Sequence, residues 1–136
     1  MSNTFLLEVV TPGRRLLSTE ISEFTAPGAL GEFGVLPGHT AFVTVLKPGE
    51  VVYKKGGETG HIAIGKGYAE VSADRTILLV DSGEFSADIK LETVKAALAK
   101  LEEALKTLPA DDPEYQATIE AYELSKARIK VKEHGK

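Results

Sequence analysis

Hydrophobic positions along the chain follow two periods, and the change falls near residue 87. Before it, short runs rich in Val, Ile, Thr, Tyr and Phe are interrupted every several residues by turn formers, a pattern that predicts an all-β region. The runs lie at residues 5–10, 21–26, 41–46, 51–54, 61–64, 68–72 and 76–80. Breakers separate them at Thr11-Pro12-Gly13, Ala26-Pro27-Gly28, Lys47-Pro48-Gly49, Lys55-Gly56-Gly57-Glu58, Gly65-Lys66-Gly67 and Ala73-Asp74-Arg75. So many short strands predict a sandwich or flattened barrel rather than one half-exposed sheet. Phe5, Leu7, Val9, Phe24, Val43, Val45, Ile62, Ile64, Val71, Leu78 and Val80 are its expected core.

After Phe85, Leu91, Val94, Leu98, Leu101, Leu105 and Leu108 recur at spacings of three and four, which predicts an amphipathic helix. Asp88 is its candidate cap. Pro109-Ala110-Asp111-Asp112-Pro113 breaks the pattern, and Asp112 before Pro113 supplies an N-cap and a first-turn proline for a second helix over residues 113–131. Its apolar face, with Tyr115, Ile119, Tyr122 and Ile129, is thinner and interrupted by Lys126, so marginal docking is expected. The short link predicts an antiparallel hairpin. The fold class is therefore α+β in two segments: an N-terminal β-sandwich over residues 1–87 and a C-terminal two-helix hairpin over 88–136.

Residues 31–49, GEFGVLPGHTAFVTVLKPG, combine four glycines with two prolines. Gly31, Gly34, Gly38 and Gly49 permit positive φ, while Pro37 and Pro48 fix φ and withhold a donor. Either an irregular hairpin turning at Pro37-Gly38 or a shaped surface displaying Glu32 and His39 fits this spacing.

Composition narrows the chemistry. A chain of 136 residues without cysteine forms one compact unit or a small domain with an appendage, and excludes disulfide and thiolate chemistry. Neither a basic leader nor a run of ~18–20 apolar residues is present, so a soluble chain that meets a membrane only through a partner is expected. The net charge of -4 argues against general nucleic-acid binding. Basic residues nevertheless collect at Lys126, Arg128, Lys130, Lys132 and Lys136, either a solvated end or a surface for an acidic partner.

Catalytic motifs fail on inspection. Residues 60–67, GHIAIGKG, follow a P-loop as far as the lysine, but Gly67 replaces the magnesium-binding hydroxyl and His61-Ile62-Ala63-Ile64 reads as a strand. A hairpin turning at Gly65-Lys66-Gly67 is the better reading. His39, His61 and His134 have no metal-ligand spacing, and no GxSxG elbow exists. No catalytic residue, metal or autonomous enzyme activity is expected.

The 31–49 stretch, Phe24-Thr25-Ala26-Pro27-Gly28 before it and Gly65-Lys66-Gly67-Tyr68-Ala69-Glu70-Val71 after it closely resemble the epsilon-subunit family of bacterial F-type ATP synthases, and the likeness spans essentially the whole chain. The resemblance implies a non-catalytic rotor subunit, peripheral on the cytoplasmic face of the bacterial inner membrane. It also implies a sandwich that binds the gamma subunit and rests on the c-ring, with Glu32 and His39 at the c-ring contact. A hairpin able to extend and inhibit hydrolysis would place Lys126, Arg128, Lys130 and Lys132 against the beta subunit. Some members bind ATP through Ile or Leu, Asp, two variable residues, Arg and Ala. The corresponding residues are Ile89, Lys90, Leu91, Glu92, Thr93 and Val94. Lys90 and Thr93 remove the charged partners, so weak or no ATP binding is expected. The competing function is a free-standing ligand-binding sandwich with a helical appendage and a concave apolar pocket.

Overall fold

The computed structural model describes residues 3–135, in which ten strands precede two helices. Lys136 lies outside the described residues. The strands are β1 (Phe5–Thr11), β2 (Arg14–Ile21), β3 (Glu23–Gly28), β4 (Gly31–Val35), β5 (Phe42–Leu46), β6 (Gly49–Lys55), β7 (Glu58–Ile64), β8 (Gly67–Val71), β9 (Arg75–Val80) and β10 (Gly83–Phe85). One half of the sandwich runs β4-β3-β6-β7-β10 and the other β5-β8-β9-β1-β2. A bridge from Gly28 to Leu46 joins them, and β1 runs parallel to β9.

The alternation of side chains turns one row of each strand inward. Phe5, Leu7, Val9, Ile21, Phe24, Val51, Ile62, Ile64 and Leu78 form the core, each at most 2% exposed. Burial of such side chains contributes about 1.5–3 kcal/mol each, so this layer dominates the fold's stability. All the expected core positions are buried except Val43 and Val45, which point outward at 68% and 49% exposure. Both belong to β5, whose outer face is uncovered.

Three strands escape the sequence pattern. In β2, adjacent Leu16 and Leu17 break the alternation; β4 is glycine-rich; β10 is only three residues long. Two turns also differ from expectation. Residues 65–67 do not close a hairpin, because β7 pairs with β6 and β10 while β8 pairs with β5 and β9. The segment carries the chain between the two halves, braced by Gly65 N–H to Ser82 O at 3.0 Å and Asp81 N–H to Lys66 O at 3.0 Å. Likewise β4 pairs with β3 and β5 with β8, so residues 31–49 cross between the halves rather than fold back on themselves. Gly38 takes φ +76 in that crossing and Gly31 φ +135, while Gly34 and Gly49 need no positive φ.

A 3-10 turn (Ser86–Asp88) leads into α1 (Leu91–Thr107), followed by α2 (Tyr115–Gly135). Asp88 does not cap α1; Lys90 stands at that position without a side-chain cap. Asp112 stands in the turn before the second helix rather than at its first capping position: its Oδ1 accepts from the Glu114 amide at 2.8 Å, and α2 begins at Tyr115. The second helix, expected to dock only marginally, is the one that lies against the sheet. Helix α2 lies on the outward side of β6, β7 and β10, and buries Ser125, Ala127 and Val131, whereas α1 buries Val94. Ala63, Ile89, Val94, Ala127 and Val131 form a second, smaller core beneath it. Small side chains let α2 approach the sheet closely, so its docking does not need the wide apolar stripe that its sequence lacks.

Candidate functional site

Strand alternation that sends Val51, Ile62 and Ile64 inward sends Glu50, His61 and Ala63 outward under α2, and Glu84 of β10 pairs beside Ala63. Basic side chains of α2 meet this row. Arg128 Nη2 donates to Glu84 Oε2 at 3.1 Å, and Nε lies 2.7 Å from Oε1 without hydrogen-bond alignment. Lys132 Nζ donates to Ser86 O at 3.0 Å, and Lys130 Nζ stands 3.7 Å from Glu50 Oε1. Lys126 instead faces outward, 3.8 Å from Glu123 and over the Tyr122 ring. Of the four basic residues expected to meet an outside acidic partner, three therefore hold the sandwich in this docked state.

The clamp has further parts that residue spacing does not show. Glu50 Oε2 lies 2.9 Å from both His61 Nδ1 and His134 Nδ1. The histidines, far apart in sequence, thus meet at one carboxylate whose side chain is 5% exposed. At Gly135, α2 comes so close to the 3-10 turn that a Cβ would stand 2.6 Å from Ser86 Cβ. Nearer the start of α2, Lys66 reaches Glu120 at 3.0 Å. Hydrogen bonds from Lys66 and then Gln116 hold the Glu120 carboxyl below its ordinary value, and the same Lys66–Glu120 bond raises Lys66.

Glu32 is exposed on β4, and its strand neighbour Phe33 stacks edge-on against Phe42 at 5.6 Å. His39 also packs against the Phe42 ring, at 5.2 Å between centroids. Its Nδ1 is 2.8 Å from Thr40 O; a carbonyl only accepts, so Nδ1 carries the proton and Nε2 is left for another partner. Phe33 and Phe42 thus connect the two residues, although no hydrogen bond or ion pair joins them among the described residues.

On the opposite half, the register aligns Val45 of β5, Tyr68 of β8, Leu79 of β9 and Val10 of β1 in one row. Val45, Tyr68 and Leu79 are 49–58% exposed. They line an open groove of about 630 Å³ with Pro12 and Lys66. This outward apolar row across three strands is a candidate interaction face.

A family sequence model described as "ATP synthase, Delta/Epsilon chain, beta-sandwich domain" matches residues 4–86. The ATP synthase epsilon chain of Geotalea uraniireducens is 47% identical over 131 residues, covering 96% of this chain and 95% of its own length. The chain belongs to the ATP synthase epsilon-chain family. Epsilon chain 2 of Syntrophotalea carbinolica is 42% identical, covering 99% of this chain and 98% of its own. The epsilon subunit is a non-catalytic component of ATP synthase, in keeping with the failed P-loop pattern: residues 61–64 lie within β7 and Gly67 opens β8, so no helix N-terminus stands there to receive phosphate. Among solved structures, a chain in the Euglena gracilis mitochondrial ATP synthase (OSCP/F1/c-ring, rotational state 1) superimposes with a TM-score of 0.80 at 21% identity, covering 93% of this chain and 80% of that one. One in the Tetrahymena thermophila central stalk and c-ring reaches 0.55 at 16% identity, covering 96% and 94%. These two likenesses concern the fold. Among the described residues of this epsilon-family chain, no helix is long and apolar enough to cross a membrane.

Proposed function

We propose that this epsilon-family subunit attaches to the gamma subunit through the Val45–Tyr68–Leu79 row and to the c-ring through the end of the sandwich carrying Glu32 and His39. The exposed row carries the reading. It is apolar, spans three strands and lies on the half that the helices leave uncovered. Glu32 and the free Nε2 of His39 supply polar contacts at the crossing segment. The subunit would sit on the cytoplasmic face of the bacterial inner membrane, held there by the complex. Co-purification with gamma tests this: Val45→Asp with Tyr68→Asp should abolish it while leaving the sandwich folded, and full retention of gamma would refute the surface.

The hairpin is the regulatory part in this reading. When α2 leaves the sheet, Arg128, Lys130 and Lys132 lose Glu84, Glu50 and Ser86 and become free, with Lys126, to meet an acidic segment of the beta subunit and block hydrolysis. ATP is not expected to hold the hairpin closed. Lys90 and Thr93 are exposed without a carboxylate or guanidinium in their place, and the Arg128 guanidinium already faces Glu84. Calorimetry on the isolated chain should show no micromolar ATP affinity.

A further inference from the structure

We propose that Glu50, His61 and His134 bind a borderline divalent transition-metal ion, of which Zn2+ is the reference case, and that the ion fastens the end of α2 to the sandwich. Two imidazole nitrogens and one carboxylate oxygen are the donor set such ions favour, with water in the fourth position. Their donor atoms all lie within 4.8 Å of one another, and Glu50 Oε2 is 2.9 Å from each Nδ1. Ligand atoms around an ion with bonds of ~2.0–2.1 Å stand roughly 3.3 Å apart in a tetrahedron. Small rotations of the rings therefore bring the three atoms onto one centre.

The site is also placed to be both rigid and reachable. Glu50 and His61 are fixed on neighbouring strands with side chains 5% and 15% exposed, while His134 is 45% exposed and leaves a path for the ion. Gly135 allows the close approach to Ser86 that brings His134 over the sheet. Lys130 stands by Oε1 and leaves Oε2 to the ion. Without metal both Nδ1–H groups point at Oε2, since a carboxylate accepts. With metal each neutral ring coordinates through Nδ1 and carries its proton on Nε2. Mg2+ and Ca2+, which prefer oxygen donors, gain little from two imidazoles. Because the ligands come from β6, β7 and α2, they come together only in the docked hairpin, and free ion at 100 times Kd favours docking by about a hundredfold.

The test is calorimetric titration of the tag-free full chain with ZnCl2, with MgCl2 as control, alongside hydrogen exchange of α2. One Zn2+ per chain, at least about tenfold weaker binding in His134→Gln and in His61→Gln, and slower exchange in α2 with Zn2+ support the site. His134→Gln lies at an exposed helix end, so its effect does not depend on refolding of the sandwich. No Zn2+ uptake, uptake that both variants leave unchanged, uptake of Mg2+ with equal affinity, or Zn2+ binding without slower exchange in α2 overturns the proposal.

Discussion

Arg128 of α2 and Glu84 of β10 form a two-point contact, with Nη2 donating to Oε2 at 3.1 Å and Nε 2.7 Å from Oε1. Both side chains are about a quarter exposed, at 27% and 28%, so water screens the pair without removing it. A double-mutant cycle with Arg128→Met and Glu84→Gln should give a coupling of about 1 kcal/mol in the opening free energy of α2, read by hydrogen exchange. Additive effects would mean that the contact does not hold the hairpin.

Gly135→Ala places a methyl group against Ser86 Cβ, and the clash involves no flexible chain end that can move aside cheaply. Docking of the last turn of α2 should weaken by about 1 kcal/mol. Faster amide exchange near residues 131–135, with an unchanged melting temperature for the sandwich, is the expected signature.

The Lys66–Glu120 pair sets a pH window for the start of α2. Glu120 is lowered from 4.5, so its contribution is present above the ordinary carboxyl range and is lost as pH falls through the lowered folded value. Lys66 is raised from 10.5, so its contribution is present below that value and is lost as pH rises through the raised folded one. Exchange in residues 115–123 should therefore be insensitive to this pair between these limits once intrinsic rates are corrected, and should quicken on the acid side in the wild type more than in Glu120→Gln.

Much of the sandwich is legible in residue order because strand-forming runs and Gly/Pro breakers coincide there; less of the site is. Alternation tells which residues share a face, yet β5 is apolar on both, with Phe42 and Leu46 inward and Val43 and Val45 outward, so the pattern alone does not tell which of its faces meets the core. Helix α2 hid its role because Ser125, Ala127 and Gly135 dock it by being small, and small residues leave a faint hydrophobic pattern. The Glu50 cluster spans separations of 11 and 84 positions, beyond any local spacing rule. A direct check on the misassigned pair follows: Val45→Asp should change stability by less than about 0.5 kcal/mol as a surface change, whereas Val9→Asp, with no exposure, should prevent folding. Equal melting temperatures for the two would contradict the burial pattern.

The central claim is that the sandwich attaches the subunit while the hairpin governs hydrolysis. It is tested most directly by the ATP hydrolysis rate of the reconstituted complex carrying the chain without residues 113–136. The truncated subunit should remain bound, since the Val45–Tyr68–Leu79 row is intact, and hydrolysis should rise several-fold over the full-length complex. An unchanged rate with the truncated subunit still in place would show that the hairpin is structural and would contradict its regulatory role.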